Sequence, residues 1–318
     1  MNGVILDEET FDTGDLDLSV LEGVGIGWRH YPRTMPGQRV ERLRGEVVAV
    51  TNKVRIDESC LAACADLKLV CVAATGVNNV DLEAAARRGV TVCNARGYAT
   101  PSVTQHVFSL LLSLVTRQTE YRTAVGEGRW QVSPDFCLLD FPISELAGKS
   151  LGIVGYGELG HAVARVAEAF GMEVLIAARP GTVPDSDRIA LPDLLPRVDV
   201  LSLHCPLTDT TRNLIAAPEL ALMKPTAILI NTARGGIVDE SALAWALREG
   251  RLGGAGVDVL SIEPPVDDNP LLDETIPHLI VTPHIAWASR ESRQRLVEDI
   301  AENILAWQGG EARNVVSV

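Results

Sequence analysis

The ten residues Leu151-Gly152-Ile153-Val154-Gly155-Tyr156-Gly157-Glu158-Leu159-Gly160 constrain the fold of this chain more than any other stretch. Leu151–Val154 reads as a short buried strand, and Gly155-x-Gly157-x-x-Gly160 follows at its end and opens a helix. In that setting the first glycine permits a tight turn and the second lets the backbone approach a pyrophosphate. The third lets helix and strand pack closely. The helix N-terminus then turns unpaired N–H groups and the positive end of its dipole toward the phosphates. The segment therefore predicts a dinucleotide-binding α/β domain.

The rest of the chain keeps the same rhythm. Its 318 residues exceed one ordinary core and suit two domains. Strands are expected at Val4–Leu6, Val47–Val50, Leu69–Ala73 and Thr91–Cys93, then at Leu151–Val154, Glu173–Ala177, Val198–Leu203, Ala227–Asn231, Gly254–Val259 and Leu279–Val281. Helical patterns fall between them: Glu58–Ala65 after an Asp57 cap, Leu82–Arg88 between an Asp81 cap and Gly89, then Leu159–Phe170, Pro218–Met223 and Glu240–Arg248. Such alternation predicts two doubly wound parallel-sheet domains of the α/β class. The first, a flavodoxin-like substrate domain, is expected to be discontinuous, from residues 1–99 and 286–318. The second, a Rossmann dinucleotide-binding domain, takes residues 100–285. Pro101–Thr119 reads as one long helix between them, with Val103, Val107, Leu110, Leu111 and Leu114 on a single stripe. A last helix over Ser289–Trp307 is expected to return to the first domain. Val125–Leu146 is irregular and carries Trp130, Phe136 and Phe141, which reads as a partner-binding arm.

Composition narrows the partners. A net charge of −14, from 28 basic and 42 acidic residues, argues against nucleic acid, since phosphate neutralisation needs clustered Lys and Arg. One arginine in a desolvated cleft still holds a small anion. Apolar runs such as Phe108–Val115 are too short to span a bilayer, and the start shows neither a basic region nor an apolar signal core. No membrane partner and a cytoplasmic location are expected. Cys60, Cys64, Cys71, Cys93, Cys137 and Cys205 contain no C-x-x-C pair and read as buried free thiols of a reducing compartment. No His/Cys cluster has metal-ligand spacing, so no metal is expected.

Chemistry is expected at strand ends. Arg234 follows one strand in Asn231-Thr232-Ala233-Arg234-Gly235-Gly236, and its planar fork suits a carboxylate and a neighbouring carbonyl oxygen. The flanking glycines suggest a close backbone approach. His284 follows Thr282-Pro283 at another strand end and can give and take a proton, with Glu263 to orient it. These three are the candidate catalytic residues. The turn Thr75–Gly76 precedes a helix, and its N–H groups suit a carboxylate; Asn52-Lys53, at a neighbouring strand end, adds positive charge. His204 also ends a strand and is placed in the cofactor cleft, whereas His30, His106, His161 and His278 read as structural. The strand tip about 20 residues past the fingerprint usually carries an acid for the ribose 2′-OH. Here it reads Ala177-Ala178-Arg179-Pro180-Gly181, and the next Asp is Asp185. Arg179 suits a 2′-phosphate, which favours NADP(H) and leaves NAD(H) as the alternative.

These residues together resemble the D-2-hydroxyacid dehydrogenase family. The likeness runs over Ala74–Asp81, Gly97–Val103, the fingerprint, Asn231–Gly236, Gly256–Val259 and Thr282–His284. Val72–Asp81, Val92–Val103 and His284–Ser289 are similar to its bacterial glycerate dehydrogenase (hydroxypyruvate reductase) branch. The resemblance implies that Arg234 binds the substrate carboxylate and carbonyl, that Glu263 pairs with the catalytic His284, and that Thr75 and Gly76 form the carboxylate turn. It implies that Asp258 contacts the nicotinamide side. The expected cofactor-binding set is Thr104, Gly155, Tyr156, Gly157, Glu158, Leu159, Gly160, Arg179, His204, Pro206, Thr211, Thr232, Ala233 and Asp258. A homodimer and a hinge between discontinuous domains are implied as well. Two departures stand out: Ala178-Arg179 where the ribose-binding acid is usual, and Leu260-Ser261-Ile262 where an aromatic-acidic run is usual. The expected reaction is hydride transfer between NAD(P)H and a small 2-oxo or 2-hydroxy acid, hydroxypyruvate first and glyoxylate second. The alternatives are a phosphoglycerate, lactate or phosphite enzyme of the family, or a non-catalytic dinucleotide sensor.

Overall fold

A computed structural model describes residues 1–181, 187–265 and 268–317; Asp185 lies outside them. The chain divides into two compact units, Met1–Ala99 with Trp287–Val318, and Thr100–Ala286.

In the first unit, β1 (Asn2–Ile5), β2 (Gly27–His30), β3 (Val48–Thr51), β4 (Leu69–Val72) and β5 (Thr91–Cys93) form one sheet in the order β2-β1-β3-β4-β5. All pairings are parallel, which is the flavodoxin-like arrangement. Alternate residues of the central strands enter two cores. Val48, Val50, Leu69 and Cys71 face one; Ala49, Val70 and Val72 face the other. Burial on both faces explains why these strands read as unbroken apolar runs. β2 is an edge strand with mostly exposed residues, so Gly-Trp-Arg-His carries no apolar period and gives no strand signal. Asp57 caps the helix Glu58–Ala63 by accepting from Cys60 N at 3.1 Å. Asp81 caps Leu82–Arg87 by accepting from Ala84 N at 2.9 Å. Gly89, at φ 67°, ends that helix. The final helix, Arg290–Gln308, buries Leu296, Val297, Ile300 and Ile304 in the β1/β3/β4 core. The tail beyond it lies antiparallel beside β5, with Val316 N donating to Val92 O at 2.8 Å, and covers that sheet edge.

In the second unit, β6 (Ser150–Val154), β7 (Glu173–Ile176), β8 (Val200–Leu203), β9 (Ile228–Asn231), β10 (Gly254–Val257) and β11 (Leu279–Val281) are ordered β11-β10-β9-β8-β6-β7. All are parallel. A dinucleotide-binding sheet normally places a third strand outside the second. Here that strand is reduced to Ile189, which makes an isolated parallel bridge to Ala177. The order reverses between β6 and β8, so the ligand crevice of this sheet lies at their carboxyl ends.

The stretch Pro101–Thr119 is not one helix. It forms Thr100–Val115 and Gln118–Gly126, broken at Arg117, which sits at φ 54°. Thr116 Oγ1 turns back onto Leu112 O at 2.6 Å, and the Arg117 guanidinium is held by Glu120 and His278. The break is thus fixed by side-chain bonds that the apolar stripe does not encode. Among the described residues, no helix is long and apolar enough to cross a membrane.

Candidate active site

The fingerprint turn is built from the backbone outward. Gly155 has φ 93°, and a Cβ there would come within 2.6 Å of Cys205 N. A Cβ on Gly160 would overlap the Gly155 carbonyl, so the Glu158–Ala169 helix packs against the turn only because residue 160 has no side chain. Gly157 is different: a Cβ there would meet nothing within 4 Å. That open face lies where a pyrophosphate has to approach. Beside it the Tyr156 ring lies on His161, centroids 3.8 Å apart, and Thr100 Oγ1 donates to Glu158 at 2.5 Å. Leu159 is half-buried and Arg179 is exposed just past the end of β7.

Four buried polar atoms have no partner among the described residues: Glu46 Oε2, Thr104 Oγ1, His204 Nδ1 and Thr232 Oγ1. Three of them belong to residues expected to bind the cofactor. A buried polar atom without a partner carries a desolvation penalty, which a bound dinucleotide offsets by hydrogen bonding. The donor set therefore fits such a group. His204 Nε2 pairs with Ser202 Oγ at 2.8 Å, and burial pulls its pKa down to about 4. It is neutral at pH 7. Thr211 Oγ1 donates to Pro206 O and accepts from Thr208 N, both at 2.7 Å, which closes the 206–211 turn. Among the described residues no group of three His, Cys, Asp or Glu is arranged to hold a metal.

Arg234, Glu263 and His284 follow the carboxyl ends of β9, β10 and β11, which are neighbours in the sheet. Asn231, 1% exposed, shapes the first loop: its Oδ1 accepts from Ala233 N and its Nδ2 donates to Arg234 O, both at 3.1 Å. Arg234 is exposed, with Nη1 donating to Ala233 O at 2.7 Å. The close approach signalled by its glycines is to the chain itself. A Cβ on Gly235 would overlap the Leu260 carbonyl, at the start of the loop that carries Glu263. Glu263 Oε1 accepts from Leu260 N at 2.9 Å, and Oε2 faces His284 Nδ1 at 2.6 Å. His284 sits at φ 55°, a left-handed conformation rare for a residue with a Cβ. Its N–H is shared between Asp258 O and Thr282 O, at 2.8 and 3.0 Å.

Asp258 is 1% exposed and its carboxylate is turned to its own chain. Oδ1 accepts from Thr282 Oγ1 at 2.6 Å and Ile285 N at 2.9 Å, and Oδ2 accepts from Ala286 N at 2.8 Å. The contacts seen at Asp258 thus fasten the segment on either side of His284. His106 joins them, with Nε2 2.9 Å from Thr282 Oγ1.

The remaining candidates lie in the first unit. Thr75 is exposed, and among the described residues none accepts from the Thr75 or Gly76 amide. Asn94 Nδ2 holds the Thr75 carbonyl at 2.7 Å. Asn52 is buried and Lys53 exposed, on a turn organised by Asp7. Asp7 accepts from the amides of Asn52, Lys53 and Val54 at 2.9, 2.6 and 3.2 Å. Asp7, Asn94 and Asn231 were not among the residues singled out from sequence. Asp7 and Asn94 act on backbone groups brought near by the fold, whereas Asn231 acts on its own loop, two and three residues along.

A model of the D-isomer specific 2-hydroxyacid dehydrogenase NAD-binding domain matches residues 108–286. The chain is 45% identical over 315 residues to a glycerate dehydrogenase of Methylorubrum extorquens, covering 98% of each protein. It is 36% identical over 323 residues to a hydroxypyruvate reductase of Blautia hydrogenotrophica, covering all of both. A crystal structure of the TT0316 protein from Thermus thermophilus superposes with a TM-score of 0.87 at 36% identity, over 99% of this chain and 100% of that one.

Proposed function

The chain belongs to the D-isomer specific 2-hydroxyacid dehydrogenase family, and we propose that it reduces hydroxypyruvate to D-glycerate with NADPH, and glyoxylate to glycolate more slowly. The observation that carries this reading is the His284–Glu263 pair, at 2.6 Å, one strand away from the Arg234 loop in a sheet whose switch point carries a dinucleotide fingerprint. The named relatives supply the substrate class.

A nicotinamide dinucleotide, held at the fingerprint, would supply the hydride for C2 of the 2-oxo acid. In the proposed reaction the protein's own residues do the rest. Arg234 holds the substrate carboxylate and polarises the C2 carbonyl with its forked N–H donors. The amides of Thr75 and Gly76 are assigned to carboxylate binding, with Asn52 and Lys53 beside them. With Nδ1 turned to Glu263, Nε2 is the His284 atom that gives its proton to the carbonyl oxygen. The Glu263 carboxylate accepts from Nδ1 and so fixes the orientation of the ring. Pre-organised proton transfer of this kind contributes about 10²–10⁴-fold in rate.

The choice of NADPH rests on Arg179, an exposed cation directly after Ala177-Ala178 at the end of β7, where an acid would favour NADH. A homodimer is proposed from the arm after Gly126, where Phe136 is 91% and Leu139 83% exposed. The six free thiols suit the cytoplasm.

The test is the initial rate of NADPH and NADH oxidation with hydroxypyruvate, run in parallel on wild type and Arg179→Ala. The reading expects fast turnover, a preference for NADPH, and loss of that preference in the variant. Equal use of both cofactors by wild type removes Arg179 as selector and keeps the reaction. No turnover with either cofactor overturns the substrate assignment.

A further inference from the structure

Glu240 is the first residue of the helix Glu240–Arg248, but it does not cap it. Asp239 does, accepting from Ala242 N at 2.9 Å. The Glu240 carboxylate is spent instead on one distant loop. Oε1 accepts from Ser261 N at 2.6 Å, and Oε2 accepts from Ser261 Oγ and Asn269 Nδ2, both at 2.9 Å. Those two residues bracket Glu263. On the inner side, Gly235 lies against the Leu260–Ser261 peptide so closely that no Cβ fits. The peptide is therefore wedged between the Arg234 loop and the Glu240 carboxylate. From that fixed position Leu260 N donates to Glu263 Oε1, whose other oxygen faces His284.

We infer that Glu240 is a positioning residue for the reaction: by holding Ser261 and Asn269 it fixes the loop that aims the Glu263 carboxylate at His284. Its carboxylate bonds run to Ser261 and Asn269, and its assigned effect on the reaction passes through Glu263. Three hydrogen bonds to an ionised acceptor, all from one loop, are strong constraints, and residues 258–265 form no helix or strand that would hold their shape without them. The inference rests on reading Glu263 and His284 as the proton-transfer pair.

A double-mutant cycle separates this role from plain stabilisation. Glu240→Gln keeps the size of the side chain and one acceptor. Whichever way its amide turns, one oxygen becomes an NH2 group that cannot accept from Ser261 N or from Asn269 Nδ2. The rate constant kcat for hydroxypyruvate reduction is measured at saturating cofactor for Glu240→Gln, Glu263→Gln and the double variant. Glu263→Gln is expected to lower kcat by about 10²-fold or more. Glu240→Gln is expected to lower it about tenfold, the size of one lost charge-assisted hydrogen bond. The double variant is expected within about twofold of Glu263→Gln alone, because a mis-aimed Glu263 and an absent one are the same defect. The KM for cofactor should not move. Amide exchange at Leu260 and Ser261 should speed up in Glu240→Gln, with the rest of the sheet protected as before. Should Glu240→Gln fold poorly, Ser261→Ala takes its place in the same cycle, since it removes one bond at an exposed residue.

A full, independent loss in the double variant overturns the inference, and so does wild-type kcat in Glu240→Gln. Wild-type kcat in Glu263→Gln is a separate failure. It overturns the proton-transfer reading itself, whatever Glu240 does.

Discussion

Replacing Gly235 by alanine should disable the site without touching any reacting group. A Cβ at that position would lie 2.5 Å from Ser261 N and closer still to the Leu260 carbonyl, where ordinary contact begins at 3.4 Å. The obstruction is backbone, which cannot rotate away. Gly235 has no positive φ, so alanine suits its local conformation and the penalty comes from packing alone. Clearing even the nitrogen requires the Leu260–Ser261 peptide to retreat by about 0.9 Å (3.4 − 2.5). Leu260 N, in the preceding peptide, donates to Glu263 Oε1 at 2.9 Å; a shift of that size carried back to it takes the bond out of hydrogen-bonding range. Glu263 then loses its aim on His284. Misplacement of about 1 Å costs roughly 10²-fold in rate, and overpacking of this kind costs about 1–3 kcal/mol in stability. The assay is kcat and KM for hydroxypyruvate, with thermal unfolding and NADPH binding followed on the same preparation. The expected result is a large fall in kcat, a lower Tm and unchanged cofactor affinity. Wild-type kcat with wild-type Tm would refute the reasoning, because the 260–261 peptide would then not rest on Gly235.

Three other outcomes are expected. His284→Ala should lower turnover by about 10²-fold or more while NADPH binding, measured by fluorescence titration, stays near wild type; near-native turnover across the pH range would remove His284 from the chemistry. His204 is held neutral with a pKa of about 4 against an unfolded value near 6.5. Its folded pKa is depressed, so its contribution is complete above about pH 6.5 and is lost as pH falls toward 4. Urea unfolding at pH 7, 5.5 and 4.5 should show wild type losing up to roughly 2–3 kcal/mol more than His204→Leu over that window, and parallel losses would mean His204 is protonated in the fold. Phe136→Ser with Leu139→Ser should give a monomer by light scattering, whereas an unchanged mass would place any dimer contact elsewhere on the surface.

What the sequence made legible is mostly what repeats or what ends a strand. β3, β4, β6 and β8 announce themselves because both of their faces are buried, so apolar residues dominate them without alternation. The caps at Asp57 and Asp81 are local bonds spanning three residues, and such bonds leave a local trace. β2 left none: an edge strand needs no apolar alternation, and its pairing with β1 is set by the sheet. The break at Arg117 was hidden because the partners that stabilise it, Glu120 and His278, are distant in sequence from the apolar stripe or incidental to it. The reduced third strand at Ile189 was equally silent, being a single bridge. In the candidate site, the residues to which chemistry is assigned stand out by type and spacing, and the fold brings Glu263 and His284 together. Their supports do not stand out. Asp7, Asn94 and Glu240 spend polar atoms on groups brought near by folding, and an acid or amide in a sequence does not show which partner it will hold.

The left-handed backbone at His284 has a consequence for how this protein can change. Glycine adopts that conformation at no steric cost and asparagine at little. A chain selected for stability alone would therefore carry one of them at 284. Histidine stands there against local preference, held by the Asp258 clamp on the residues around it. His284→Gly and His284→Asn, inactive on the proposed mechanism, are thus expected to be more stable than the wild-type protein. On that mechanism a stability screen of this chain selects against activity at 284, and thermostable versions are best sought away from the ends of β9, β10 and β11.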